Sequence, residues 1–136
     1  MTHGHSAALL ARRVPARSVD EPMKHFRTSS SQRREFAVIH ASRSAQAAMM
    51  TLQPGDCSSD EPEDEHPWAE QWLFVLSGTG RARTKGRSLA LRAGSLLLIE
   101  KREPHQILNT GRRPLATLNL YVPPAYDSRG EVLRKK

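Results

Sequence analysis

The chain has 136 residues, a formal net charge of +7 at pH 7, 38% hydrophobic residues and a single cysteine. This length predicts one domain, and a lone cysteine excludes both an internal disulfide and a cysteine-based zinc finger, so a reducing, cytoplasmic location is expected. No stretch approaches the roughly 20 apolar residues of a membrane span, so no membrane contact is predicted.

The N-terminal part of the chain, residues 1–34, is polar and basic and ends in "TSSSQRR". We predict a flexible arm here rather than a secretory signal, because the apolar patch "AALLA" is short and its arginines follow it. The positive charge alone would favour nucleic acid. However, Asp56 to Glu70 contains seven acidic residues and no Lys or Arg, so we expect no specific nucleic-acid binding.

From residue 36 onward the sequence alternates between short apolar and polar segments with period two. The predicted strands are FAVIHA (36–41), AAMMTLQ (47–53), WLFVLS (72–77), RARTK (81–85), the two halves of SLALRAGSLLLIE (88–100), QILNT (106–110) and PLATLNLYV (114–122). Glycine or proline stands at the joints between them. This pattern predicts an all-β barrel or jelly roll over residues 35–126, followed by a tail over 127–136.

Potential metal ligands gather at the start of one predicted strand, in "DEHPWAEQWLFVLSG". Asp64 and His66 lie two residues apart and would share a side in an extended chain, and Gln71 begins the strand. If the faces coincide inside the barrel, these side chains converge with His105. Plain alternatives stay open: Asp64 as part of a solvated loop, His66 as a loop anchor and Gln71 as an ordinary strand residue. Glu70 is expected to point outward, unless a bulge shifts the register and makes it the ligand.

Two stretches resemble the motifs of the cupin superfamily. "GDCSSDEPEDEHPWAEQWLFVLSG" resembles the first motif and "GSLLLIEKREPHQILN" the second, and the likeness extends from about Phe36 to Val122. The closing segment is similar to the tails of small single-domain, mannose-6-phosphate-isomerase-like cupins. The resemblance implies a cupin double-stranded β-helix, a jelly-roll barrel, with the flexible N-terminal arm outside it.

The resemblance also implies a metal site. Where a typical cupin has three His and one Glu, this chain has a set of four residues: Asp64, His66, Gln71 and His105. Two imidazoles, a carboxylate and an amide suit a divalent ion such as Zn, Mn, Fe or Ni. Asn109 takes the place of the motif's Asn, although it could also serve only to tie down the backbone. Met50 and Trp72 are expected to line the pocket with it.

Two classes of function follow from this resemblance. One is a metal-dependent enzyme, such as an isomerase or dioxygenase, that acts on a small polar molecule resembling a carbohydrate or a carboxylate. The other is a binding or sensing module without turnover. A metal-free isomerase or epimerase is a third interpretation. No tyrosine is expected at a strand mouth, because Tyr121 and Tyr126 lie towards the C-terminal tail.

Small cupins commonly pair, so the resemblance implies a homodimer. The sequence offers a physical reason, since "REFAVIH" (34–40) would form an uncovered edge strand unless an arm exchanged between protomers covers it.

Overall fold

The computed structural model describes residues 23–31 and 34–133, so most of the predicted N-terminal arm lies outside the described residues. After a short 3-10 helix at Thr28–Ser31 come eight strands: β1 (Phe36–Ala41), β2 (Gln46–Leu52), β3 (Glu70–Ser77), β4 (Thr79–Thr84), β5 (Arg87–Arg92), β6 (Leu96–Ile99), β7 (Gln106–Asn109) and β8 (Leu115–Val122). Each predicted strand is present. Strand β3 starts before the predicted Trp72 because Glu70 and Gln71 pair with Val122 and Tyr121 of β8.

The strands form two antiparallel sheets that face each other. One sheet has five strands in the order β1-β2-β8-β3-β6, and the other has three in the order β5-β4-β7. The predicted all-β, jelly-roll architecture is therefore confirmed. Over residues 23–31 and 34–133, no helix has the length and apolar character of a membrane span.

The interior of the barrel changes from apolar to polar along the central strands. Leu73 and Val75 of β3 are fully buried, and Gln71 precedes them on the same face. On β8 the buried Asn119 and Tyr121 lie opposite Leu73 and Gln71 in register. Polar side chains thus collect at the end of the barrel where β3 begins and β8 ends.

The outer side of the five-stranded sheet carries a continuous apolar surface. Its residues form two rows across neighbouring strands, Leu98–Trp72–Leu120 and Leu96–Phe74–Leu118. Five of the six are large hydrophobic side chains that are at least 36% exposed. We call these six residues the outer apolar face.

The segment after β8 folds back onto the barrel and is held there by Gln46. The Oε1 atom of this buried glutamine accepts hydrogen bonds from the backbone N–H groups of Ala125 and Tyr126, each at 3.0 Å. Its Nε2 donates to the carbonyl of Tyr126 at 2.7 Å. The indole N–H of Trp68 also donates to the carbonyl of Pro124. These bonds fix Tyr126 over the polar end of the interior.

Candidate functional site

A partly enclosed cavity of about 210 Å³ occupies the polar end of the barrel. Its wall includes the carboxylates of Glu63 and Glu65, the amide of Gln71, the imidazole of His105 and the phenols of Tyr121 and Tyr126. Apolar contacts come from Met50, as predicted, and from its neighbours Phe36 and Ile107.

His66 lies behind this wall and is only 2% exposed. Its Nδ1 is 3.2 Å from the carbonyl oxygen of Ala69, which can only accept, so Nδ1 carries the hydrogen. In the neutral imidazole, Nε2 then has a lone pair. This Nε2 lies 3.0 Å from Oε1 of Gln71.

His105 repeats this arrangement from the other sheet. Its Nδ1 donates to the carbonyl of Glu103 at 2.9 Å, which leaves the lone pair on Nε2. Burial lowers the pKa of His105, outweighing the opposite effect of its hydrogen bond to Glu103. The rings of His66 and His105 are 5.1 Å apart, centroid to centroid. The two imidazoles therefore lie side by side, and Nδ1 of each faces a backbone carbonyl.

Gln71 adds an oxygen to these two nitrogens. Its Nε2 donates to Oδ1 of Asn119 at 2.8 Å, and this bond turns Oε1 towards His66. Oε1 of Gln71 can only accept, so its 3.0 Å contact with Nε2 of His66 needs either a hydrogen on that nitrogen or a cation between the two atoms. The donor chemistry of His66, Gln71 and His105 therefore fits a divalent metal ion.

The set differs from a metal site built only of ionisable side chains. Within the described part of the chain, no group of three or more His, Cys, Asp or Glu side chains could hold a metal ion. Here only two of the three converging donors are histidines, and the third is the neutral amide of Gln71. Metal affinity would consequently rest on how firmly each donor atom is oriented.

The acidic loop brings a different carboxylate to the cavity from the one predicted. Asp64 is half-buried and does not line the cavity, although its charge acts on His105. Glu65 does line the cavity, and its Oε1 accepts a hydrogen bond from the phenol of Tyr126 at 2.7 Å. The structure therefore unites three of the four predicted ligands and leaves Asp64 beside them.

Tyr121 and Tyr126 are site residues that the sequence analysis missed. Their rings pack edge to face at 5.0 Å, and burial raises the pKa of both phenols. Tyr121 could have been found, since it shares the inward parity of Thr117 and Asn119 on β8. Tyr126 gave no local signal, because contacts with residues distant in sequence, among them Gln46 and Glu65, bring it to the cavity.

Two residues predicted for the pocket lie elsewhere. Trp72 is on the outer apolar face, where its indole N–H donates to Glu70. Asn109 is buried and organises the loop after β7. Its Nδ2 donates to the carbonyls of Leu52 and Arg113, and its Oδ1 accepts from the N–H of Gly111. The alternative interpretation, in which Asn109 ties down the backbone, describes this arrangement.

Comparisons with known proteins agree with the fold. A protein from Bacillus halodurans is 24% identical in sequence, with a TM-score of 0.68 over 83% of this chain and 89% of its own. A Klebsiella pneumoniae protein with a double-stranded beta-helix domain is 17% identical, with a TM-score of 0.65 over 83% and 99%. A sugar phosphate isomerase of the cupin superfamily from Silicibacter pomeroyi is 17% identical, with a TM-score of 0.52 over 60% and 52%.

At these identities the structural likeness shows the fold alone. A search of curated proteins finds no match. The family model described as "Cupin domain" matches residues 48–121, which is more than half of the chain and includes both motifs and the four predicted ligands. The chain therefore belongs to the cupin domain family.

Proposed function

We propose that this protein is a metal-binding cupin that takes a small neutral, hydroxyl-rich molecule into its barrel. The observation that carries the metal part is the approach of the Gln71 oxygen Oε1 to within 3.0 Å of Nε2 of His66, with the ring of His105 beside it. In metal sites, the outer atoms of the ligands are typically held by backbone or side-chain partners. Here Ala69, Glu103 and Asn119 hold them in this way.

The ion is of the class Zn, Mn, Fe or Ni, and when bound it would supply Lewis-acid stabilisation to a carbonyl or hydroxyl oxygen. Asp64 stays the predicted fourth ligand, with Glu65 as its competitor because Glu65 lines the cavity. Zn²⁺ affinity, measured by titration of the metal-free protein, distinguishes Asp64 from Glu65 as the fourth ligand. We expect Asp64→Asn to weaken affinity at least tenfold and Glu65→Gln to leave it within a few-fold; the reverse order would assign the carboxylate to Glu65.

The charge of the cavity supports a neutral ligand. Glu35, Glu63 and Glu65 line it, and no Lys or Arg of the described residues does. These three carboxylates are exposed and a bound divalent ion would offset part of their charge, so they would repel an anionic ligand only moderately. Hydroxyl groups, by contrast, can donate to carboxylates, and the faces of Phe36 and Tyr126 can pack against a carbohydrate ring. We therefore favour a carbohydrate-like ligand over a carboxylate-like one.

This charge argument is tested with a matched pair of probes, glucose and glucuronate, added to metal-loaded protein at equal concentration. We expect glucose to raise the melting temperature and glucuronate to have little effect. Glu63→Gln, which removes one lining charge, should improve glucuronate binding relative to the wild type. Stabilisation by glucuronate alone in the wild type would contradict the proposal.

Turnover, if it occurs, requires a proton acceptor besides the metal ligands. Glu65 is the carboxylate that meets Tyr126 in the cavity, and it accepts a hydrogen bond from the Tyr126 phenol. We propose that in an isomerase-type reaction Glu65 takes a proton from one carbon of the ligand and returns it to the neighbouring carbon, while Tyr126 orients the carboxylate. Loss of turnover with retained metal in Glu65→Gln supports an enzyme, whereas ligand binding without turnover in the wild type indicates a binding module.

We also propose that the chain forms a homodimer through the outer apolar face. Apolar surfaces that extend over neighbouring strands typically mark protein contacts. This surface reaches the free edge of β6 and carries two parallel rows of large side chains. A second copy of the chain can therefore pack the same rows against it in a two-fold symmetric dimer. The predicted edge strand β1 lies at the opposite edge of the same sheet.

A further inference from the structure

Asn119 lies directly behind Gln71 and is completely buried. Three oxygens surround its Nδ2: Oγ1 of Thr117 at 3.0 Å, the carbonyl of Thr117 at 3.3 Å and the carbonyl of Ala48 at 3.5 Å. Carbonyl oxygens can only accept. A reversed Asn119 amide would place its own oxygen against two of them, so the orientation of this amide is determined by the backbone.

The same environment fixes the hydroxyl of Thr117. Its Oγ1 is 3.0 Å from the carbonyl of Met50, to which it donates its hydrogen. The oxygen is left to accept from Nδ2 of Asn119. The direction of each hydrogen bond in this chain is therefore fixed: Thr117 donates to Met50, and Asn119 donates to Thr117. Oδ1 of Asn119 is left to accept from Gln71.

The amide of Gln71 has no such constraint of its own. Its two ends have the same shape, and either could face His66. With the N–H end forward, the amide would donate to Nε2 of His66 and use up the lone pair that a metal ion needs. With the oxygen forward, both lone pairs stay available. The hydrogen bond to Asn119 selects between these two orientations. Because Oδ1 of Asn119 accepts, the N–H end of Gln71 must face Asn119, and the oxygen end then faces His66.

We infer that Asn119 is a positioning residue that keeps the oxygen of Gln71, and not its N–H, turned towards His66, and so keeps the site open to a metal ion. This inference rests on the proposed metal site. It concerns a residue that touches none of the proposed donor atoms of the two histidines and that lies outside both cupin motif stretches.

The test is Zn²⁺ affinity of Asn119→Leu in two backgrounds, one with Gln71 and one with Gln71→Glu. Loss of an orienting partner of a metal ligand typically costs 10–100-fold in affinity, and we expect a loss in that range when Gln71 is present. In the Gln71→Glu background we expect no loss, because either end of a carboxylate presents an oxygen to His66, and Asn119→Leu also removes the contact between its other oxygen and Oδ1 of Asn119. The interaction between the two substitutions measures positioning directly.

Equal losses in both backgrounds would show a merely structural role, and no loss in the Gln71 background would also overturn the inference. If Asn119→Leu does not fold, Asn119→Ala serves in its place. A second measurement does not depend on metal: ¹⁵N NMR of His66 in metal-free protein. We expect Nε2 to accept no hydrogen bond in the wild type and to accept one from Gln71 in Asn119→Leu, and an unchanged Nε2 signal would contradict the inference.

A wild type without Zn²⁺ affinity would refute the proposed metal site and not the positioning. In that case the NMR comparison alone decides whether Asn119 orients Gln71.

Discussion

In each of the two site histidines, the fold determines which ring nitrogen is hydrogen-bonded to the backbone. In both, Nδ1 is engaged by a backbone carbonyl, of Ala69 or of Glu103, and the two rings lie 5.1 Å apart. The spacing in the sequence indicates which residues could meet, but the tautomer depends on the carbonyls that the folded loops supply. The same holds for Gln71, whose usable atom depends on Asn119.

The two tyrosines offer a direct probe of the site, because the chain contains no others. Burial raises the pKa of both Tyr121 and Tyr126, since a phenolate is poorly solvated there. We expect spectrophotometric titration of the folded, metal-free protein to show no phenolate at pH 10, the ordinary pKa of tyrosine.

The sign of the linked stability follows from the raised pKa. The folded state holds its phenolic protons more tightly than the unfolded state. The contribution of the two phenols to the free energy of unfolding is therefore complete below pH 10 and is lost as the pH rises above it. Phenolate absorbance should therefore appear together with unfolding. The guanidinium-unfolded protein, titrating near pH 10, is the control. Ionisation of either tyrosine near pH 10 in the folded protein would show that the cavity is more exposed than described.

Alternation along a strand predicts which side chains point into the barrel, but no such rule applies to the loops. Gln71 inside and Glu70 outside follow from period two, because strand β3 has no bulge at that point. Which carboxylate of Asp64 and Glu65 enters the cavity does not follow, because an irregular loop has no fixed period. The predicted pocket residue Trp72 lies outside because it alternates with the inward-facing Gln71 and Leu73, and this alternation could have excluded it from the pocket.

Among the elements, the eight strands follow from the apolar alternation and the Gly and Pro joints, with ends displaced by one or two residues where pairing extends a strand. The segment after β8 could not be predicted in this way. Its path depends on Gln46, which lies about 80 positions away in sequence. A single buried polar residue at the start of β2 gives no sign of its partner.

The Gln46 contact can be tested by substitution. Gln46→Leu keeps the volume but leaves the N–H groups of Ala125 and Tyr126 and one carbonyl without partners. Each buried group left unpaired costs about 1–3 kcal/mol, so we expect the free energy of unfolding in urea to fall by at least that amount. Gln53→Leu, at an exposed position beyond β2, is the matched control and should change it little. Equal stability of the two variants would contradict the role assigned to Gln46.

At the scale of the whole molecule, the outer apolar face predicts the oligomeric state. Phe74→Lys places a charge in the middle of that face, and we expect the mass measured by light scattering to change from dimer to monomer at micromolar concentration. Leu89→Lys is the control, because Leu89 is as exposed as Phe74, at 38%, but lies on the other sheet. A monomeric wild type would contradict the homodimer.

The proposed metal site, in which His66, Gln71 and His105 hold one ion inside the barrel, can be tested by metal content. The most direct measurement is elemental analysis of untagged protein from which "MTHGHS" has been removed, so that the histidines of that segment cannot bind metal. We expect close to one divalent ion per chain in the wild type and in the exposed-site control His40→Ala, and almost none in His105→Ala. A wild type without metal, or a metal content unchanged in His105→Ala, would contradict it.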